Sequence, residues 1–239
     1  MRLSKWQALG NVYLVVEQAD ITPERARELS DGVSDGVLEV LSRGDTHAVV
    51  RVWNPDGSTA EMSGNGARIA AAWLAHETGA SHVTLRVGER DLSAIVDGEV
   101  VTLEVGHVEV GKAEKLDLDG ERIEFIPVLV GNPHAVVRRD PGEVRRLGPL
   151  IERHTRFPDR TNVQLVHVDG PHDLTVGVWE RGVGETRSSG TSSVAAAVAA
   201  IANGWAESPV RVHLPGGELL VQLDENGEAR LTGPAVELA

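Results

Sequence analysis

The chain has 239 residues, 41% of them hydrophobic, enough to bury one large core or two small ones. Its 36 acidic residues against 23 basic ones leave a net charge of -13, which repels nucleic-acid phosphates and anionic membrane surfaces and argues against both as partners. Without cysteine there is no disulfide, no thiolate metal site and no thiol nucleophile. The longest apolar run, Val194 to Ala202, is too short to cross a bilayer, and the first residues lack a signal-peptide core, so the cytoplasm is the expected location.

In chain order, Gly10-Asn11 precedes a short apolar strand, Leu14-Val15-Val16, and Thr22-Pro23 reads as a cap followed by proline at the first position of an outer helix. Gly32-Val33-Ser34-Asp35-Gly36 matches the G-x-S-x-G pattern of a nucleophile elbow, but a strand-like run follows it where an elbow needs a helix. A strand ending at Trp53 leads to Ser63-Gly64-Asn65-Gly66. A helix follows from about Ala67 to Thr78, apolar nearly all round, stopped by Gly79 and expected to be buried on most sides.

Asp97-Gly98 suits a tight hairpin. Gly111-Lys112 lacks the Ser or Thr of a phosphate-binding loop, and Gly182-Val183-Gly184 lacks the third glycine of a dinucleotide fingerprint. Asp140 and Glu143 have capping-box spacing. Val194, Ala197, Val198 and Ile201 form one inward stripe on a helix that opens at Ser189-Gly190-Thr191-Ser192 and stops at Asn203-Gly204, and Asn226-Gly227 marks a second hairpin. The nine histidines are scattered and none forms a zinc-binding helix motif, so no metal is expected.

Several of these segments are copies. Val50, Val52 and Trp53 recur as Val176, Val178 and Trp179, Ser63-Gly64 as Ser189-Gly190, and Ala70-Ala71 as Ala196-Ala197, each pair 126 positions apart. Gly10-Asn11 recurs as Gly131-Asn132 at an offset of 121, which implies an indel between the elements. The expectation is an α+β fold of two pseudo-repeated halves, residues 1–112 with 228–239 and residues 113–227, each an antiparallel sheet around a central helix.

Both Ser-Gly turns open an Ala-rich helix, so free backbone N–H groups and the positive end of the helix dipole are offered to an anion. Either turn alone is equally well explained as ordinary capping by its serine. Their recurrence at repeat-related positions points instead to a small-molecule site in the cleft where the halves meet, gripping a carboxylate.

The stretches Leu9-Gly10-Asn11, Trp53-Asn54-Pro55-Asp56-Gly57, Met62 to Arg68, Gly131-Asn132-Pro133-His134, Thr161-Asn162-Val163, Glu180 to Thr186 and Leu231 to Val236 together resemble the diaminopimelate epimerase family, in order and over nearly the whole chain. The resemblance implies a cofactor-free isomerase of lysine and cell-wall biosynthesis that inverts one α-carbon with two opposed bases. It implies that Asn11, Asn54, Asn65, Asn132 and Asn162 hydrogen-bond a small amino-acid substrate. Glu180 and Arg181 would meet its distal end, and Gly64, Asn65, Gly190 and Thr191 would cradle the reacting carboxylate. His134 and Glu180 would help set protonation beside the reacting groups, and a homodimer is a reasonable assembly. Taken singly, each asparagine beside Gly or Pro is also an ordinary turn residue.

The pattern breaks at the bases. The family has a cysteine in each helix-start turn, and Ser63 and Ser189 occupy those catalytic positions here. A free thiol titrates near ~8.5 and lower at a helix N-terminus, whereas a serine hydroxyl needs a strong neighbouring base. Two-base turnover is therefore expected to be absent or very slow. A different isomerase or dehydratase reaction, or a protein that binds amino acids without turnover, remains open, with Glu180, Glu185, Asp56 or His134 as substitute acid or base. The family's acidic and aromatic pair after Gly-Asn appears as Val12-Tyr13, and the segment around Ser34-Asp35-Gly36 is shortened; both bear on substrate identity.

Overall fold

The computed structural model describes residues 2–17, 20–60, 62–118 and 120–238. They form two compact units, Met1–Glu104 with Thr232–Ala239, and Val105–Leu231.

Unit 1 runs β1 (Arg2–Ala8), β2 (Asn11–Glu17), α1 (Pro23–Ser30), β3 (Val37–Arg43), β4 (His47–Trp53), β5 (Thr59–Ala60), α2 (Gly64–Thr78), β6 (His82–Val87), β7 (Arg90–Asp97) and β8 (Val100–His107), whose last residues belong to unit 2. Unit 2 continues with β9 (Glu109–Val110), β10 (Glu114–Leu118), β11 (Glu121–Leu129) and β12 (Pro133–Arg138). A 3₁₀ turn (Pro141–Glu143) leads into α3 (Val144–Glu152), β13 (Asn162–Gly170), β14 (Asp173–Glu180) and β15 (Gly184–Thr186). Then come α4 (Gly190–Ala202), β16 (Val210–Leu214), β17 (Gly217–Leu223) and β18 (Glu228–Pro234), and β19 (Val236–Leu238) pairs with β1.

The duplication seen in the sequence is a duplication of topology. In unit 1, β2 pairs parallel with β3, β3 antiparallel with β4, and β4 parallel with β6 across α2. In unit 2, β12, β13, β14 and β16 repeat those three pairings across α4. Register follows the sequence offsets: Leu14 faces Val37 as Ala135 faces Val163. The sheets are rich in antiparallel pairs, as the sequence suggested, and mixed where a helical crossover returns the chain to the same end of the sheet and makes the next strand parallel.

Each sheet curls around its central helix. α2 is buried from Gly64 to Leu74 and ends at Gly79, whose φ of 76° is the left-handed stop that glycine adopts without penalty. α4 is buried from Gly190 to Ala200, all round and not along one stripe, because strands β9, β11 to β14, β16 and β17 enclose it. Ala, Gly and Ser at nearly every position let those strands approach closely.

The outer helices differ in how they start. Thr22 accepts a hydrogen bond from the Arg25 amide, as its position suggested. The Asp140–Glu143 capping box does not form: Asp140 accepts from the Gly142 amide to close the 3₁₀ turn, and Glu143 pairs with Arg146 instead. Asp97 and Val100 close a two-residue hairpin through Gly98, and Asp224 holds the Asn226-Gly227 turn by accepting from the amides of Asn226 and Glu228. Gly32 to Gly36 joins α1 to β3, a helix-to-strand connection, and so is no nucleophile elbow. Among the described residues no helix is long and apolar enough to cross a membrane.

Candidate functional site

The first helix start is a tightly bonded cluster. Ser63 is the extended N-cap of α2, and its Oγ accepts from the Gly66 amide at 3.0 Å. The Tyr13 hydroxyl on β2 lies 3.2 Å from the same Oγ. One residue into the helix, Asn65 donates through Nδ2 to Asn11 Oδ1 at 3.3 Å, which ties the β1–β2 hairpin to the turn. That hairpin turns on Leu9 and Gly10, both at positive φ, as a two-residue turn of this kind demands.

Arg68, one turn further along α2, donates to Asn65 Oδ1 at 2.8 Å and to the Gly64 carbonyl at 3.4 Å. Its guanidinium is fully buried, with no carboxylate partner and an unbonded Nε among the described residues. Burial alone pulls its pKa down to about 10, so it carries a positive charge at neutral pH.

The second helix start is built differently. Ser189 is again an extended N-cap, but its side chain makes no capping bond; its backbone carbonyl accepts from the Ser193 amide and hydroxyl. Behind it runs a chain of neutral groups. Gln164 on β13 donates through Nε2 to Ser192 Oγ at 2.9 Å and to His134 Nδ1 at 3.0 Å, and His134 Nε2 lies 2.8 Å from Asn132 Oδ1. With the amide nitrogen donating to Nδ1, the ring hydrogen sits on Nε2 and is donated to Asn132. Burial, assisted by the nearby Arg181 charge, pushes the His134 pKa down to about 3, so the imidazole is neutral. Asn162 donates to the Pro133 carbonyl and accepts from the Arg181 amide, which fixes the β14–β15 turn beside this group.

Of the residues singled out in the sequence, Asn11, Ser63, Gly64 and Asn65 therefore come together in unit 1, and Asn132, His134, Asn162 and Arg181 in unit 2. Gly190 and Thr191 open α4 next to Ser192. Asn54 lies in the turn after β4, its amide bonded to Ser58 Oγ at 2.9 Å. Glu180 closes β14, and its carbonyl accepts from the Val183 amide. Two of the substitute acids are engaged elsewhere. Asp56 accepts from the Ser58 hydroxyl and amide, bonds that hold its carboxyl below the usual range, and Glu185 is paired with Arg145 at 2.5 Å.

Four participants were given no role of their own in the sequence: Tyr13, noted there only as a departure bearing on substrate identity, Arg68 and Ser192, which were only parts of longer stretches, and Gln164. The repeat offsets contained the signal for two of them. An offset of 121 aligns Tyr13 with His134, and 126 aligns Leu38 with Gln164, a polar residue where the other copy is apolar. Arg68 is the one cation in the buried stretch of α2, and a buried charge with no acid beside it among the described residues is a sign of function.

The model of the diaminopimelate epimerase family matches residues 3–114 and 127–238, once in each half. A diaminopimelate epimerase of Desulfitobacterium hafniense is 37% identical over 98% of this chain and 95% of its own length, and one of Pseudomonas paraeruginosa is 35% identical over 100% and 97%. The solved structure of a hydroxyproline epimerase from Agrobacterium vitis shares the fold at a TM-score of 0.72 and 16% identity, covering 99% of this chain and 90% of the other. Twice-matched by the family model and aligned end to end with its named members, the chain belongs to the diaminopimelate epimerase family.

Proposed function

We propose that the chain is an amino-acid isomerase acting on diaminopimelate, interconverting its LL and meso forms by moving a proton at one α-carbon. The supporting observation is full-length family membership combined with a Ser-Gly helix start at the same topological position of each unit. Each unit supplies one turn to the reaction. Amides of Gly64, Asn65, Gly190 and Thr191 hold the reacting carboxylate, where helix dipoles favour the negative charge that builds up as the α-proton leaves. Asn11, Asn54, Asn132 and Asn162 bond the remaining polar groups, and Arg181, with Glu180 before it, receives the distal carboxylate. Neutral His134 fixes the orientation of Asn132.

Hydroxyls at positions 63 and 189 make this a slow enzyme, since serine gives up its proton far less readily than a thiol. The test is α-deuterium wash-in from D₂O, followed by NMR on the LL and meso isomers, for the wild-type chain and a Ser63→Cys, Ser189→Cys double variant. The double variant is expected to exchange faster by roughly 10²- to 10⁴-fold, the range that a well-matched acid–base group contributes. A folded double variant that neither exchanges nor binds either isomer by calorimetry refutes diaminopimelate as the substrate.

A further inference from the structure

Glu152, the last residue of α3, is a buried acid that the proposed reaction leaves unused. Its two oxygens have different partners. Oε2 accepts from Trp179 Nε1 at 2.8 Å, and Oε1 accepts from the Gly182 amide at 2.8 Å, with the Arg160 guanidinium 3.7 Å from the same oxygen. A carboxylate suits this place because it accepts on both oxygens at once, and a buried one needs a partner on each. α3 lies close against β14 here: a Cβ on Gly148 would come within 2.6 Å of the Trp179 ring, so glycine at that position lets the helix sit where Glu152 reaches past the tryptophan.

Gly182 is the middle residue of the turn joining β14 to β15, where Glu180 pairs with Gly184 and Arg181, Gly182 and Val183 form the tip. All three tip amides are bonded. The Arg181 amide donates to Asn162 Oδ1 at 3.0 Å, the Gly182 amide to Glu152, and the Val183 amide to the Glu180 carbonyl. The Arg181 backbone is therefore held on either side by side chains of two other elements, β13 and α3. Unit 1 shows that the tryptophan alone does not demand this arrangement. There the equivalent indole, Trp53, donates to Glu39 on β3, whose other oxygen takes the Ile21 amide ahead of α1. The turn after β4 is held by its own residues and by Arg27, which donates to the Asp56 carbonyl. In unit 2 the acid under the tryptophan also reaches the turn that follows, the one that carries Arg181.

We propose that Glu152 is a positioning residue for Arg181: by fixing the Gly182 amide it presents the guanidinium in a preset geometry to the distal carboxylate of the substrate, and so favours amino acids that carry a second carboxylate. This rests on the isomerase reading above. A turn that is already held when the ligand arrives has less freedom to lose, and the difference appears as affinity.

The test is a mutant cycle read as the calorimetric affinity for meso-diaminopimelate. Glu152→Met removes both acceptors with little change of volume and is expected to weaken binding roughly tenfold in the wild-type background. In an Arg181→Ala background the same change is expected to cost about twofold or less, because the side chain through which Glu152 acts is gone. Glu152→Asp is the milder second variant: it keeps the charge, draws both oxygens one methylene back from the turn, and is expected to show the same pattern. Amide hydrogen exchange in the wild-type chain gives a reading that needs no variant. Gly182, exposed at the tip of a turn, is expected to be protected like a strand amide, and exchange at the rate of an open loop overturns the bond itself. A folded variant of either kind that binds as the wild-type chain does, or that loses as much without Arg181 as with it, overturns the positioning role and leaves the isomerase reading standing. A wild-type chain that binds neither the LL nor the meso isomer overturns both.

Discussion

Ser63 and Ser189 open the same helix in two copies of one topology, and their surroundings have diverged. Around Ser63, the hydroxyl is bonded on two sides, and a buried guanidinium with no carboxylate partner among the described residues sits one turn below. Around Ser189, the hydroxyl is unbonded among the described residues, and the supporting chain from Ser192 through Gln164 and His134 to Asn132 is neutral. The positions correspond closely. Tyr13 occupies the place of His134, Leu38 that of Gln164, and Gly36 that of Asn162. Among the described residues, one copy has a guanidinium and a phenol beside its turn, and the other a neutral scaffold that holds asparagines. A duplicated fold can thus carry two chemically unlike surroundings at one topological position.

The sharpest way to break the contrast is at Gly36. Asn162 fits in the equivalent place because the histidine beside it is smaller than tyrosine. A methyl group at position 36 meets the Tyr13 ring and a backbone oxygen, neither of which yields cheaply. Gly36→Ala is expected to lower the unfolding free energy by about 3 kcal/mol, the upper end of overpacking costs, read from urea denaturation. A cost below about 1 kcal/mol would mean that the ring is not pinned.

His134 sharpens the contrast through pH. Its folded pKa of about 3 lies below the unfolded value of roughly 6.5, so only the unfolded chain takes up this proton as the solution is acidified. The stability it contributes is complete above about pH 6.5 and is lost as pH falls toward 3, at about 1.4 kcal/mol per unit. Urea midpoints between pH 6.5 and 5 are expected to fall by about one proton's worth more in the wild-type chain than in His134→Gln. Parallel curves would show that the imidazole takes up its proton in the folded chain.

Much of this was legible in the sequence for physical reasons, and the remainder was hidden for equally physical ones. The halves were visible because Trp53 and Trp179, and the Ser-Gly turns, recur at one spacing, and a duplicated topology needs the same turns in the same places. Parallel pairing was not, since nothing in the alternation of a strand tells whether its neighbour arrives by a hairpin or across a helix. α4 looked one-sided because a stripe is visible from its larger residues, Val194, Val198 and Ile201, whereas alanines bury equally well on every side. The partners of Ser63 and His134 come from other strands, at separations of 50 and 30 residues, and only tertiary pairing brings them together. The same holds for two buried carboxylates. Glu39 on β3 accepts from Trp53 Nε1 and Glu152 on α3 from Trp179 Nε1, so the repeat preserved the tryptophans while each unit found its own acid.

The smallest predicted difference isolates the two serines themselves. Ser63→Ala removes a capping bond to the Gly66 amide and is expected to cost about 1 kcal/mol. Ser189→Ala removes a hydroxyl that caps nothing and should stay within about 0.5 kcal/mol of the parent, both read from thermal or urea unfolding. Equal costs would mean that the two hydroxyls are bonded alike in solution and that the divergence of the two turns is confined to their surroundings. If the costs differ as expected, the Ser189→Ala chain becomes informative in a second way. A hydroxyl that adds nothing to the fold but whose loss weakens diaminopimelate binding by calorimetry has its partner on the ligand, whereas at position 63 the fold and the ligand compete for the same oxygen.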